Sequence, residues 1–447
     1  VKISLKINSG PIGFIGKYGE SRNVTFYKES SKTINMRKTI CLVSLITILA
    51  GGCIRHNVLK QGPYLGVIRI DSNERNMDLP FNMIFAITPD GQKVMQVSNA
   101  GEVIMINELA LSGDTVFMKF PVFTSEIIAV IRHDSLIGKY YPKGKGAGTW
   151  YAFHAIQGVT DRFPWANEKP GANLTGRWKI TENAGTPDSS VMVGEFVQDS
   201  NHVTGTILNT GGDYRYLEGK VSGDKFMISA IDGAHTLILT AGISPQGKLE
   251  NGRFMGSPKW KNNWTAERNE TITLPRMDEI VKVKPNARPF TFHLPDINGD
   301  TVSLTDPRFK NKVVIILAIG SWCPNCLDET MFYKDIYPGY LDKGLEIAAL
   351  CFEDKTFETS KPKMERFISQ TGAGYTFLYA GPRGQESIRS ALSDLEGPIA
   401  YPTSIFIDRK GVIRKVETGF SGPGTGQHYK DFCAETTKFI EKLLEEK

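Results

Sequence analysis

Cys323 and Cys326, separated by Pro324 and Asn325, are a pair whose residue type and spacing bring a reaction with them. They follow an unbroken apolar run, residues 313–319, that reads as a fully buried strand. Gly320 and Ser321 form the bend, and a helical pattern begins after it. A Cys-x-x-Cys between strand and helix puts its first sulfur at the helix N-terminus. There the unpaired amides and the macrodipole favour a thiolate, which predicts a lowered pKa for Cys323. The second sulfur, one turn inside, can reach back to close a disulfide or expel a bound substrate, the chemistry of thiol–disulfide exchange. A structural zinc site would want two more Cys or His at similar spacing, and none is nearby. An inert bridge would gain little from closing so short a loop. Redox exchange is the reading that the context favours.

The elements that must hold this pair can be read outward from it. Residues 290–294 and 301–304, around Asn298-Gly299-Asp300, read as a hairpin ahead of the buried strand. Pro338 should kink or split the cysteine helix. A second buried strand (345–352), a helix (about 358–370), a strand (375–378) and a helix (about 386–395) follow. A hairpin (404–408 and 412–416) and a terminal helix (about 428–445) close the domain. This is the thioredoxin order of elements. Tyr401-Pro402-Thr403 stands directly before the apolar strand 404–408, where proline is otherwise unwelcome. A cis Tyr401–Pro402 bond would explain its place. In such a fold the loop faces the cysteines and offers an extended backbone edge to a substrate chain.

On these features, residues 289–447 resemble the membrane-tethered thioredoxin-like thiol–disulfide oxidoreductases of the TlpA and ResA type. The resemblance is carried by Phe-Thr-Phe-His-Leu-Pro-Asp at 290–296, Trp322-Cys323-Pro324-Asn325-Cys326, and Tyr401-Pro402-Thr403 leading to Ile407-Asp408 and Gly411. It implies that Cys323 is the exposed nucleophile, Cys326 the resolving thiol and Pro402 the cis proline. It also implies that Glu353, after the second strand, is the acid near the cysteines, and that Trp322, Tyr401 and Thr403 meet the substrate. A buried carboxyl there would raise a thiol pKa or shuttle its proton. No cofactor is expected beyond the redox-active disulfide itself, and no metal. Strong oxidants of this fold favour a His between the cysteines; Pro324-Asn325 supplies no charge, which predicts a reductase over an oxidase or isomerase. Peroxiredoxins use a Pro-x-x-x-Thr-x-x-Cys loop, and Ser321-Trp322 stands where that Thr should be.

The other two thirds of the 447 residues lie outside the resemblance. A formal net charge of +5 is too small to argue for nucleic acid. Met36-Arg37-Lys38, an apolar run at 40–49 and Ala50-Gly51-Gly52-Cys53 read as a signal peptide. The small residues before Cys53 resemble a bacterial lipobox, although Ala50 stands where that motif most often has Leu. Cys53 would then carry the lipid anchor and hold the chain to the membrane on the periplasmic side of the cell envelope. Cleavage of an ordinary secretory signal near Gly52 is the alternative. Residues 1–35 read as an upstream extension and 53–61 as a tether.

Two β-rich stretches, 62–160 and 172–275, precede a charged linker (276–288). Echoes at a spacing near 110 residues predict internal duplication. They are residues 65–70 with 175–180, Ser112-Gly113-Asp114 with Ser222-Gly223-Asp224, Gly138-Lys139 with Gly247-Lys248, and Trp150-Tyr151-Ala152 with Trp264-Thr265-Ala266. Each half offers five or six strands, the two forming two small sandwiches or barrels or else one barrel of ten or more strands, serving as a spacer or docking unit or else enclosing a small-molecule cavity. Residues 162–172 read as a linker between the halves. The expected partners are a disulfide-containing protein and an upstream membrane or periplasmic thiol reductant. A reading of a different class makes the chain an envelope binding protein with an accessory redox domain. Cys351 and Cys433 are expected to be buried free thiols.

Overall fold

The computed structural model describes residues 58–74, 76–142 and 148–446; Cys53 and the signal segment lie outside them. Two β-rich units lead into a C-terminal thioredoxin-like domain. The first is a nine-stranded antiparallel meander from Gly62–Arg69 to Tyr151–Gln157, whose first and last strands pair. Its two free edges, Glu102–Ile106 and Glu108–Ser112, are joined through Asn107, so the sheet curls into a nearly closed barrel. The second unit runs from Gly176–Glu182 to Trp260–Arg268, and its pairing does close. Eight of its strands form a ring, and the short Gly212–Asp213 strand hangs on the edge of His202–Asn209.

An eight-stranded barrel is just wide enough for its inward side chains to fill it. Here Trp178, Phe196, Phe226, Phe254 and Trp264 do so. The interior of the second barrel is a packed core among the described residues. Ile231, Ile238 and Met255 of the second barrel join the core of the first, so the two share a buried seam.

Three expectations need correction here. Each half has nine strands, not five or six. Short, largely exposed strands such as Glu108–Ser112 carry too little apolar alternation to be counted from sequence. Of the four sequence echoes, two fall at equivalent places: the opening strands, and the hairpin turns at Gly113 and Gly223. The others do not, because Gly138 lies within a strand and Gly247 in a turn, while Trp150 precedes its strand and Trp264 lies inside one. Residues 162–172 are not a free linker either. Phe163 is buried in the first core, and the Arg162 guanidinium is buried between Glu218, at 2.9 Å, and the Ser229 carbonyl, at 3.0 Å.

The C-terminal domain is built on a five-stranded sheet in the order Thr376–Pro382, Leu345–Glu353, Val313–Ile319, Thr403–Ile407 and Ile413–Thr418. The first three strands are parallel and the last two antiparallel. Val313–Ile319 is buried at every position, as a central strand covered on both faces must be. Helices Pro324–Ile336, Phe357–Thr371 and Gln427–Glu445 cover one face. The other is covered by Gln385–Ala391 and by the segment before the central strand, including Val281, Phe292 and Phe309. Lys282–Val283, in the expected charged linker, pairs with Leu395–Glu396. The cysteine helix stops at Ile336, where Tyr337–Gly339 tightens into a 3₁₀ turn around Pro338.

Candidate active site

The fully buried strand ends at Ile319, and four residues later Cys323 caps the next helix. Its backbone is extended, Pro324 takes the first helical position, and the Cys323 Sγ accepts the Cys326 N–H at 3.2 Å. The sulfur of one cysteine thus meets one of the orphan amides of the helix that carries the other. Both are free thiols. Burial, together with the adjacent Cys323 sulfur and the Glu329 carboxyl, holds the Cys326 thiol well above its ordinary pKa.

The cis-proline loop closes the other side. The Tyr401–Pro402 bond is cis, and the Tyr401 carbonyl accepts from Cys323 Sγ at 3.5 Å. Thr403 Oγ1 donates to the Ala400 carbonyl and shares a hydrogen bond with Thr418 Oγ1, each at 2.8 Å, which ties the loop to the last strand. Trp322 donates its indole N–H to the Phe352 carbonyl at 2.8 Å and meets the Tyr401 ring edge to face at 5.2 Å. Glu353 lies buried at the end of its strand. One carboxylate oxygen accepts the Ser321 N–H at 2.5 Å and the other the Ser321 hydroxyl at 2.8 Å, which fixes the bend just before the cysteines. All seven site residues expected in this domain therefore converge within it. Cys53 lies outside the described residues.

Two expectations fail. Thr403 is fully buried behind the cis-proline loop, so its side chain does not meet a substrate. Cys323 is not exposed; only 6 % of its surface is accessible. Pro324, Asn325, Cys326 and Asp328 at the start of the helix are buried as well.

The Redoxin family profile matches residues 282–431. The thiol-disulfide oxidoreductase ResA of Bacillus thuringiensis subsp. konkukian is 30% identical over 159 residues, 36% of this chain and 79% of that protein. The chain belongs to the ResA-type thioredoxin-like family. ResA of Geobacillus thermodenitrificans is 32% identical over 130 residues, 29% of this chain and 66% of that protein. A solved structure of a putative thiol:disulfide interchange protein DsbE from Chlorobium tepidum aligns with 34% of this chain and 98% of its own, at 23% identity and a TM-score of 0.27. The ResA-type domain marks the chain as a thiol–disulfide oxidoreductase, and both β-rich units lie outside the Redoxin match.

Within the ResA-type domain, sequence reading passed over Glu329. It stands three residues after Cys326, on the same face of the helix. Its carboxyl is fully buried; one oxygen accepts the Ser404 hydroxyl at 2.6 Å and the other has no partner. Burial raises its pKa from 4.5 to about 8, so it is mostly protonated at neutral pH. The spacing was the available signal; burial was not, because it depends on the distant Ser404 strand packing against the side chain.

Arg215 was also passed over. From the second barrel it reaches the Pro324 carbonyl at 3.2 Å and Asp328 at 2.5 Å, while its other nitrogens face Glu102 at 2.5 Å and Asp232 at 4.0 Å. Burial among these acids lifts Asp328 to about 7 in spite of the guanidinium. Cys351 and Cys433 are both free, but Cys433 is only half-buried. Among the described residues no group of His, Cys, Asp or Glu is arranged to hold a metal ion.

Proposed function

We propose that this chain is an envelope-anchored reductase of protein disulfides, with Cys323 as nucleophile and Cys326 as resolving thiol. The observation that carries the reading is the Cys323 sulfur held between the Cys326 N–H and the Tyr401 carbonyl, at a helix N-terminus and beside a cis proline. The Cys326 N–H and the Tyr401 carbonyl hold the Cys323 sulfur at a fixed place at the mouth of the site.

In the proposed cycle the Cys323 thiolate attacks one sulfur of the substrate disulfide. The substrate S–S bond breaks, a mixed disulfide forms, and the departing substrate sulfur takes up a proton. Cys326, buried and protonated, must then lose its proton to become a nucleophile. The ionised fraction of Glu329, on the same helix face, accepts it and becomes the neutral carboxyl. The Cys326 thiolate attacks the Cys323 sulfur, the second substrate thiol leaves, and an intramolecular disulfide remains. An upstream thiol reductant returns two electrons and two protons to restore the dithiol. Trp322 and Tyr401 form the wall against which a substrate segment lies, Thr403 is buried behind them and ties the cis-proline loop to the last strand, and Glu353 holds the Ser321 bend in register. Export and anchoring rest on the signal-like segment and Cys53.

The deciding measurement is the reduction potential of the Cys323–Cys326 pair, by equilibration against glutathione or dithiothreitol. A value of about −270 mV or lower is expected for an electron donor; a value near −120 mV would make the chain an oxidant and overturn the reductase assignment.

A further inference from the structure

The cysteine helix does not open onto solvent at its first turn. The hairpin turn at residues 210–212 of the second barrel is seated against it, with Gly212 packed closely on the Asn325 amide. A methyl group on Gly212 would fall 2.0 Å from the Asn325 amide nitrogen and 3.4 Å from the Phe420 carbonyl. One on Gly419 would lie 3.0 Å from both the Thr210 oxygen and the Gly211 carbonyl carbon, and one on Gly211 would lie 3.6 Å from the Ala400 side chain. A single barrel turn therefore touches three segments beside Cys323: the residue inside the motif, the stretch before the cis proline, and the loop after the last strand.

Two buried polar contacts fasten it there. The Gly422 N–H donates to Asp213 at 2.7 Å, and Arg215 joins the Pro324 carbonyl and Asp328 to Glu102 of the first β unit. Across the site, Trp322 and Tyr401 are only half-buried, and Arg383, whose guanidinium lies 5.9 Å from the Trp322 ring, is exposed.

We propose that the 210–212 turn is the specificity-determining element of the redox site. It fills one side of the groove beside Cys323, so disulfides reach the sulfur from the side of Trp322, Tyr401 and Arg383. That approach admits small disulfides and those projecting from an exposed chain, and turns away disulfides recessed in a folded surface. The naming of disulfides as the ligand rests on the function proposed above; the steric restriction does not.

The test is alkylation of Cys323 in the full, reduced chain by N-ethylmaleimide and by a polyethylene-glycol maleimide, read at the Cys323 peptide by mass spectrometry. Both reagents attack the same thiolate, so their rate ratio cancels any change in its pKa. Arg215→Ala removes the fastening, and Gly212→Ala pushes the turn off Asn325. Each should raise the bulky-to-small ratio about tenfold, as about 1.4 kcal/mol of weakened docking would. A ratio unchanged within about twofold in a folded variant would overturn the proposal. If Arg215→Ala does not fold, Gly212→Ala decides alone. A raised ratio in a chain that reduces no disulfide would defeat the reductase assignment and leave the steric restriction standing.

Discussion

Replacing Glu329 with Gln tests the proton path in the resolving step. The carboxyl is buried, keeps one oxygen unpartnered and is held at a pKa of about 8. If its ionised form accepts the Cys326 proton, the rate of mixed-disulfide resolution should follow the ionised fraction. That fraction is about one in a hundred at about pH 6 and about one half at about pH 8, so the wild-type rate should climb about fifty-fold across that window and then level off. Gln is nearly isosteric and can still accept from Ser404, but it takes no proton. Resolution in E329Q should be slower by about 10²-fold near neutrality and should keep rising past pH 8 with hydroxide, with no plateau. The assay is rapid mixing of reduced protein with a disulfide peptide, acid quenching at intervals and mass spectrometry of the mixed disulfide. The first attack, made by Cys323, should change little, so the variant accumulates the mixed disulfide where the wild type does not. No accumulation, with the wild-type plateau retained, would refute Glu329 as the acceptor.

The same buried acid makes a stability prediction. Raised from 4.5 to about 8, Glu329 favours the folded state when protonated, and this contribution is lost as pH rises through that window, by up to about 5 kcal/mol for a fully buried group. Denaturant titrations across the window should therefore fall less steeply for E329Q than for the wild type. His428 is raised by its hydrogen bond to Glu195, at 3.0 Å, which links the terminal helix to the second barrel. The pair contributes fully below the ordinary value of 6.5 and is lost as pH rises past the raised one. Since both side chains are partly exposed, His428→Ala should cost less than about 1 kcal/mol, and only on the acidic side, in matched denaturant titrations. Trp178→Ala should empty the middle of the filled barrel and orphan the Leu174 carbonyl it bonds, costing about 3–5 kcal/mol in urea titration. An unchanged midpoint would show that the barrel interior is less tightly packed than described.

The parts of the site legible in the sequence are those set by near neighbours along the chain. The apolar run 313–319, the bend and the cysteine spacing lie within a few residues of one another, and Pro402 directly precedes a strand it could not occupy. Glu329 is intermediate. Its spacing from Cys326 places it on the right helix face, whereas Glu353 drew attention through its position after a strand. Only the packing shows that Glu353 bonds Ser321 through both oxygens while Glu329 keeps one oxygen unsatisfied. Arg215 was beyond reach of sequence reading: it sits in a polar, glycine-rich turn whose local pattern says only loop, and its partners Glu102 and Asp328 are each 113 residues away along the chain.

Those long-range partners also bear on what the β units are for. A flexible spacer would have no need to bury charge. Here one guanidinium is shared by carboxyls from both β units and the cysteine helix, with Asp213 close by and itself pushed up by burial. Such a cluster is a weak source of net stability, since desolvation consumes much of what the pairing supplies. It is a strict source of register, because a shifted interface would leave buried acids without their cation. Register matters most where Gly212 meets Asn325 and Gly211 meets Gly419, since contacts that tolerate no side chain tolerate little sliding. The cost of the charge cluster is therefore best understood as fixing the barrel turn at one position beside Cys323, which makes the second barrel a wall of the redox site.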